Sequence, residues 1–340
     1  MKIALIGPGI MSIPPPGWGA VEIIIWDYYT ELKNNGYDVT IINQMRSETI
    51  NQYNDTNHFN TLIKMINDTN YFKNLIKEIN DGNYDFVHLH YDCYYHILPF
   101  LNCKKIGITS HYPYIDNINK HSGDGYTDIF NFLITQDKYY NFVLAKKDLD
   151  IFLKYGANIK YIKHLKNGVN SKLFNFLDKS IFQKTIYLGK ITSRKNQFKY
   201  QSLLNIDFVG NCGDNKFNIN NQNYLGEWSR EYLHKNLTNY SNLLLISEGE
   251  ADPLVVKEAL IVGLGVVINK SSAENLDCNT DFITIIDDDK INDLNYIQEK
   301  INENIQKCIF QRYEIRKYGI DNFDISIQII NYIKLITSIP

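Results

Sequence analysis

Apolar runs of strand length alternate with amphipathic stretches along the 340 residues of the chain. Residues 2–7 (KIALIG) are an apolar run that ends in glycine, and residues 37–43 (YDVTIIN) are another. Between them, residues 20–34 carry apolar side chains at helical spacing, and Gly36 ends the pattern. A strand, a helix and a second strand in this order predict the start of a doubly wound α/β sheet.

The same pattern continues and divides the chain into two halves. It predicts a helix at residues 60–79 and strands at residues 85–90 and 105–111. A second start, KTIYLGK at residues 184–190, is similar to the first strand, and strands follow within NIDFVGN, NLLLIS and GVVIN. We therefore predict two Rossmann-like halves, joined around residues 167–182.

The last stretch, residues 324–336 (DISIQIINYIKLI), predicts an amphipathic helix. Asp324 is its predicted N-cap. One face carries Ile325, Ile329, Tyr332, Ile333 and Ile336.

The stretch LLLISEGEADPLVVKEALIVGLGVVI begins with an apolar strand and ends with the start of another. Between them, Asp252 is the predicted N-cap of a helix, with Pro253 at its first position. Gly263 ends this helix, so we predict it at residues 253–262.

Glu258 lies in this helix with apolar residues on nearly all sides, namely Leu254, Val255, Ile261 and Val262. A buried carboxylate without a partner is costly. We therefore expect Glu258 to pair either with another residue or with a ligand.

Glu250 precedes the helix, in the loop that leaves the strand. Ligands of open α/β sheets bind beyond the carboxyl ends of strands, and a helix start suits phosphate. Glu250 and Glu258 could thus grip the hydroxyl groups of a phosphorylated, polyhydroxylated molecule such as a nucleotide sugar. The alternative is that both acids only form salt bridges or cap turns.

Composition narrows the class of protein. A net charge of −3 argues against a nucleic-acid binder, which normally carries a basic face. The five cysteines are odd in number, widely spread and without C-x-x-C, so we expect free thiols in a reducing compartment. Because no signal peptide and no apolar run of membrane-spanning length is recognisable, we expect a soluble, cytoplasmic protein.

These features, taken in order, resemble family 4 glycosyltransferases of the GT-B fold. The central match is Glu250-x7-Glu258 followed by EALIVGLGVVI. The other matching segments are YLGKITSRKN, KNGVNSKLF, YLGEWSREYLHKNLTNYSNLLLIS, WGAVE, VHLH and TSHYP. Members of that family are retaining, use nucleotide sugars and need no metal.

The resemblance implies a role for each matching residue. Glu250 would bind the hydroxyl groups of the donor sugar, and Glu258 the ribose of the nucleotide. Lys190 and Lys195 would hold the pyrophosphate. Donor-binding residues also include Gly19, which lets its loop approach the phosphates, and the amides of Leu254 and Val255, while His111 would lie beside the reacting sugar.

The cation run supports the pyrophosphate role independently of the resemblance, because no acid lies among Lys184, Lys190, Arg194, Lys195 and Lys199. A departing diphosphate needs such charge when no metal is present. The alternative is a solvated basic face.

The chain departs from the family pattern at three places. Lys190 stands where the family usually has Arg, and lysine cannot make a planar bidentate grip. The glycine pair of the family is Gly19–Ala20 here. Asp252 and Pro253 replace the common aromatic–glycine pair, so the identity of the donor is left open.

The implied architecture is α/β and GT-B, with two Rossmann-like doubly wound domains facing a central cleft. Residues 1–175 would form the acceptor-side domain and residues 176–319 the donor domain. Residues 320–340 would form a helix that crosses back to the first domain. The implied reaction moves a sugar from a nucleotide-diphosphate sugar to a hydroxyl of a glycan, lipid or small molecule, without a cofactor or metal.

Other functions remain as alternatives. A sugar-nucleotide epimerase of the same fold would also bind a nucleotide sugar, as would a non-catalytic homologue. GPGIMS at residues 7–12 lacks the third glycine of a dinucleotide fingerprint. His88, His90, Cys93 and His96 could suggest a metal site, but their spacing matches no standard zinc pattern.

Overall fold

The computed structural model describes residues 1–45, 61–64 and 68–340. They form two compact units. The first unit comprises residues 1–15, 19–166 and 328–340, and the second comprises residues 16–18 and 167–327.

A parallel sheet forms the centre of the first unit, with seven strands among the described residues. The strands are Lys2–Ile6 (β1), Asp38–Met45 (β2), Thr61–Lys64 (β3), Phe86–Leu89 (β4), Ile106–Thr109 (β5), Tyr140–Val143 (β6) and Ile162–His164 (β7). Their order is β3-β2-β1-β4-β5-β6-β7. β1 and β4 are completely or almost completely buried, as expected for parallel strands covered on both faces.

The helices of the first unit follow its strands, as in a doubly wound sheet. They are Ala20–Asn34 (α1), Asp68–Asp81 (α2), Tyr126–Thr135 (α3) and Lys146–Lys154 (α4), with 3-10 segments at Asp92–Phe100, Ile115–Asp124 and Ile159–Tyr161. The helix predicted at residues 60–79 is wrong in its first part, because Thr61–Lys64 pairs with β2 as a strand. Residues 60 and 65–67 of that prediction lie outside the described residues.

The second unit contains a smaller parallel sheet. Its strands are Thr185–Leu188 (β8), Ile206–Val209 (β9), Asn242–Leu245 (β10), Gly265–Asn269 (β11) and Ile283–Ile286 (β12). Within the described residues they follow the order β12-β11-β10-β8-β9. The helices are Arg230–Asn236 (α5), Leu254–Ile261 (α6), Leu294–Cys308 (α7) and Arg312–Phe323 (α8). Short 3-10 segments are Ser171–Leu173, Ser193–Lys195, Gln197–Tyr200, Leu237–Asn239, Lys270–Ser272 and Asp288–Lys290.

The last helix is Ile325–Thr337 (α9). The predicted cap is confirmed, because Asp324 Oδ1 accepts a hydrogen bond from the amide of Ser326 at 2.9 Å. The predicted apolar face is buried at four positions and partly buried at Ile333; the four are Ile325, Ile329, Tyr332 and Ile336. Within the first unit, the Tyr332 hydroxyl lies 3.1 Å from Nδ1 of His88. The second half of α9 is therefore part of the first unit's core.

Other sequence predictions can be compared with the structure. All five cysteines carry free thiols, as predicted. Among the helices of the described residues, none combines the length and the apolar character that a membrane span requires. The prediction of two doubly wound parallel sheets is confirmed.

Candidate functional site

The strand order of the smaller sheet reverses at its first strand, β8. β8 lies between β10 and β9, so the chain adds strands first on one side and then on the other. Ligands of open α/β sheets bind beyond the carboxyl ends of the strands at such a switch point. The loops after β8 and β10 meet there, where the amide of Glu248 donates to the carbonyl of Arg194 at 2.8 Å.

Two glycines allow the chain to pack tightly at this edge. A Cβ on Gly210, after β9, would lie 2.1 Å from the carbonyl oxygen of Gly189, after β8. Both have positive φ, 148° at Gly210 and 139° at Gly189. Only glycine adopts such backbone conformations without strain.

Glu250 is clamped at the switch point by two cations from the loop after β8. Its Oε1 accepts from Lys195 Nζ at 2.9 Å and from Arg194 Nη1 at 3.2 Å. Arg194 also donates to the carbonyl of Gly249. Only 7% of the Glu250 surface is exposed. The fold thus brings together two predicted site residues, Lys195 and Glu250, which are 55 positions apart in the sequence.

The electrostatic balance keeps Glu250 ionised. Burial raises the pKa of its carboxyl, but the charges of Lys195 and Arg194 and hydrogen bonds from Lys195 and Ser247 oppose this. The net result is a pKa below the ordinary glutamate value. A buried, ionised carboxylate is a strong acceptor for sugar hydroxyl groups.

Tyr187, a residue of β8 that sequence reasoning missed, ties the two loops together. It is completely buried. Its hydroxyl contacts the carbonyls of Lys195 and Ile246, and it accepts from the Ile246 amide at 3.1 Å. The tyrosine of YLGK was the available signal, because a buried tyrosine in a strand needs a partner for its hydroxyl.

Lys190 has a different environment from Lys195. Its ammonium lies over the ring of Trp18, 4.3 Å from the centroid. Among the described residues, Lys190 has no carboxylate at salt-bridge distance. In contrast, three other members of the cation run form salt bridges. Arg194 and Lys195 pair with Glu250, and Lys184 pairs with Asp207 at 3.0 Å.

Glu258 has the partner that its burial requires. Only 2% of it is exposed, and Nη2 of Arg230 donates to its Oε1 at 2.7 Å. Arg230 is the first residue of α5, and the side chain of Ser229 caps that helix. Sequence reasoning left the choice between a residue and a ligand open; here the partner is a residue. The signal for Arg230 was the basic residue after the serine of WSREYL.

The start of α6 differs from the prediction. The helix begins at Leu254 and has no side-chain cap, so Asp252 is not its N-cap. Instead Asp252 is buried against Lys257, which also donates to the carbonyl of Asn167 at 2.9 Å. The amide of Asn167 donates to Asp252 Oδ2 at 2.7 Å. Asp252 thus pairs with Lys257 and does not cap the helix, because leaving a buried ammonium without a carboxylate costs more free energy than leaving a helix without a side-chain cap.

The first turn of α6 carries the two predicted amide donors. Leu254 is buried and Val255 is partly buried. The predicted stop is confirmed, because Gly263 follows the helix with φ of 79°. Leu254 and Val255 as donor-binding residues stay a prediction.

The remaining two predicted site residues lie in the first unit. His111 follows β5, and its Nε2 lies 3.2 Å from Nδ1 of His90. Burial lowers the pKa of His111 to about 3 and the pKa of His88 to about 3, and it also lowers that of His90. These imidazoles are therefore neutral at neutral pH.

Gly19 precedes α1 with φ of 128°. A Cβ there would lie 3.1 Å from the Pro15 side chain and 3.2 Å from the Met11 sulfur. The position therefore requires glycine, both for its φ and for the space around it.

The described residues contain no cluster of three or more histidine, cysteine or acidic side chains arranged to hold a metal. His88 instead contacts Thr109 Oγ1 at 2.8 Å, and its ring packs 4.1 Å from that of His90. The histidines of VHLH belong to the packing of the first unit.

Solved structures match the fold along nearly the whole chain, whereas no protein-family model matches it and no curated protein matches it in sequence. Sucrose-phosphate synthase from Thermosynechococcus elongatus is 14% identical, with a TM-score of 0.76 over 100% of both chains. HepE from Anabaena, in complex with UDP-glucose, is 13% identical, with a TM-score of 0.76 over 99% of this chain and 100% of the other. WaaG, a glycosyltransferase involved in lipopolysaccharide biosynthesis, is 13% identical, with a TM-score of 0.70 over 98% of this chain and 99% of the other. At these identities the matches show a shared GT-B fold.

Proposed function

We propose that this protein is a retaining glycosyltransferase of family 4. It transfers a sugar from a nucleotide-diphosphate sugar to a hydroxyl of a glycan, lipid or small molecule in the cytoplasm. The observation that carries the proposal is the buried Glu250, held by Lys195 and Arg194 at the switch point of the smaller sheet. The GT-B fold shared with HepE, which was solved with UDP-glucose, supports it.

The charges at this edge suit a diphosphate. Two cations, Arg194 and Lys195, contact one acid, Glu250, so this group carries net positive charge. Lys190 adds a third cation to the same loop after β8. Negative charge develops on the departing diphosphate during transfer, and fixed cations in a partly buried site stabilise it. In this proposal no metal is required.

Each acid has a separate role in the proposed reaction. Glu250, ionised and buried, accepts hydrogen bonds from the hydroxyl groups of the donor sugar and sets its orientation. Glu258 accepts from the ribose hydroxyls at its second carboxylate oxygen, since Arg230 occupies Oε1. Lys190 and Lys195 hold the pyrophosphate, assisted by the amides of Leu254 and Val255, and His111 lies beside the reacting sugar.

We propose front-face transfer with retention at the anomeric carbon. The acceptor hydroxyl attacks the anomeric carbon on the face from which the diphosphate leaves. The leaving diphosphate takes the proton of that hydroxyl. Among the acids of the described residues we assign none as a nucleophile, because Glu250 is already engaged by Lys195 and Arg194.

Product analysis tests this function. The protein is incubated with nucleotide sugars and a panel of glycan, lipid and small-molecule acceptors, with and without a chelator, and the anomeric configuration of any product is read by NMR. We expect a product of retained configuration in both conditions. An inverted product contradicts the mechanism, and loss of activity with the chelator contradicts metal independence. An epimeric sugar released with nucleoside diphosphate in the absence of acceptor identifies an epimerase instead.

A further inference from the structure

A short segment of the N-terminal loop, Pro16–Trp18, belongs to the second unit, whereas the residues before and after it in the sequence belong to the first. Three contacts hold it. The carbonyl of Pro16 accepts from the amide of Arg230 at 3.1 Å. The amide of Trp18 donates to Glu227 Oε1 at 3.4 Å, and the ring of Trp18 lies 4.3 Å from the ammonium of Lys190.

This segment contacts the two basic residues that the proposed donor site uses outside the Glu250 clamp, Lys190 at its ammonium and Arg230 at its backbone amide. Lys190 is assigned to the pyrophosphate, and Arg230 holds Glu258 at 2.7 Å. The fit is close at Gly17, where a Cβ would lie 2.5 Å from Glu227 Oε1. The other oxygen of Glu227 accepts from Asn211 Nδ2 at 3.3 Å, which anchors that carboxylate.

The Trp18–Lys190 contact has a consequence for ligand binding. A lysine ammonium on its four-carbon stem loses much rotamer freedom when it binds a phosphate. An aromatic face that already holds the ammonium reduces that loss and leaves its charge available, since the described residues offer Lys190 no carboxylate. Trp18 is 38% exposed, so its ring is not needed to fill the core.

We propose that Trp18 is a positioning residue of the donor site, whose ring holds the Lys190 ammonium in place for the diphosphate. This inference rests on the proposed function, because it assigns Lys190 to a nucleoside diphosphate. It also gives a role to the lysine that stands where the resembled family usually has arginine. An arginine is ordered by its own planar fork, whereas a lysine depends on a neighbour to fix its position.

The test is calorimetric titration of the full chain with uridine diphosphate and with uridine; if the diphosphate does not bind, the guanosine, adenosine and thymidine pairs follow. We expect Trp18→Ala to weaken diphosphate binding about five-fold, as expected for a cation–π contact at a partly exposed site, and to leave nucleoside binding unchanged. Trp18→Phe should retain most of the affinity. Trp26→Phe, on α1, is the matched control and should bind like the parent protein.

A double-mutant cycle separates positioning from a structural role. In a Lys190→Ala background, Trp18→Ala should cause no further loss, because the ring then has no ammonium to hold. Equal diphosphate affinity in the parent and Trp18→Ala proteins overturns this inference and leaves the proposed function intact. So does a loss that is the same for nucleoside and diphosphate, or additive with Lys190→Ala. A parent protein that binds none of the four diphosphates overturns the proposed function and this inference with it.

Discussion

Glu250 and Glu258 show how far residue spacing alone specifies a site. Both acids are buried, and both have cationic partners at hydrogen-bond distance. The need for partners followed from burial, which the apolar surroundings of Glu258 indicated. The identity of the partners did not follow, because Arg230 is 28 positions from Glu258 and Lys195 is 55 positions from Glu250. Such pairs depend on which loops the sheet order brings together.

Replacing Glu258 tests its assignment to the ribose. We expect Glu258→Gln to weaken binding of a nucleoside diphosphate by about 1.5–3 kcal/mol, because hydrogen bonds to a charged acceptor are lost. The matched control is Glu231→Gln, an exposed acid of α5 that pairs with Lys235. Calorimetry of both folded variants provides the measurement, and equal affinities would remove Glu258 from the donor site.

The buried histidines predict how stability depends on pH. The folded pKa of His88 is about 3, well below the ordinary value of 6.5, because burial disfavours the charged form. Between these values the unfolded chain binds a proton that the folded chain does not, so the free energy of unfolding falls as the pH falls. The slope is at most about 1.4 kcal/mol per pH unit for each such histidine.

Urea unfolding at about pH 7 and about pH 5 measures this dependence. His88→Asn should reduce the slope, because one of the buried imidazoles is removed. The ionised Glu250 also contributes to the free energy of unfolding, and this contribution is lost as the pH falls. Because the pKa of Glu250 lies below the ordinary value of 4.5, that loss occurs mainly below the range of about pH 5 to 7. An identical slope in parent and variant would contradict the assignment.

At the scale of elements, the longer apolar strands and the first helix were predicted from the sequence, whereas short strands and the start of α6 were not. Strands such as β1 and β10 are continuous apolar runs, which is what burial on both faces of a parallel sheet requires. Four strands of three or four residues, β3, β6, β7 and β12, were not predicted, because runs that short cannot be distinguished from part of a helix by periodicity. The start of α6 was misplaced because the buried pair of Asp252 and Lys257 outweighed local capping.

That buried pair gives a prediction about stability. Asp252→Ala leaves the ammonium of Lys257, 1% exposed, without its carboxylate. We expect a loss of about 3–5 kcal/mol, and partial recovery when Lys257→Met is added, because the remaining charge is then removed. Glu303→Ala, at the exposed pair with Lys300, should leave the unfolding midpoint nearly unchanged, because solvent screens such a pair. The measurement is urea unfolding of the parent, Asp252→Ala, the double variant Asp252→Ala with Lys257→Met, and Glu303→Ala. An unchanged midpoint in Asp252→Ala would be inconsistent with a stabilising pair.

The C-terminal helix gives a second prediction at this scale. Tyr332 is fully buried in the first unit, whereas Ile330, two positions away, is 50% exposed. We expect Tyr332→Ala to destabilise the protein by about 3–5 kcal/mol through the cavity it leaves, and Ile330→Ala by a small fraction of that. Thermal unfolding of both variants measures the difference. Similar unfolding temperatures would show that α9 is not packed as described.

At the scale of the whole molecule, the order of motifs was more informative than any motif alone. Two glycine-ended first strands, each followed by further strand and helix patterns, predicted two doubly wound units, and the two parallel sheets confirm this. The contacts of Pro16–Trp18 could not be predicted, because a loop rich in proline and glycine has no periodicity to place it. The acceptor is equally out of reach from sequence, since variable loops usually supply its contacts.

We propose that the second unit binds the nucleotide-diphosphate sugar from which transfer proceeds. A thermal-unfolding screen against nucleotide sugars tests it most directly, because a ligand that binds only the folded chain stabilises it by mass action. At about 100 times the dissociation constant, the gain is about 2.7 kcal/mol. We expect at least one nucleotide sugar to raise the unfolding temperature saturably, and we expect a smaller effect in Glu258→Gln. An unfolding temperature that no nucleotide sugar changes would contradict it.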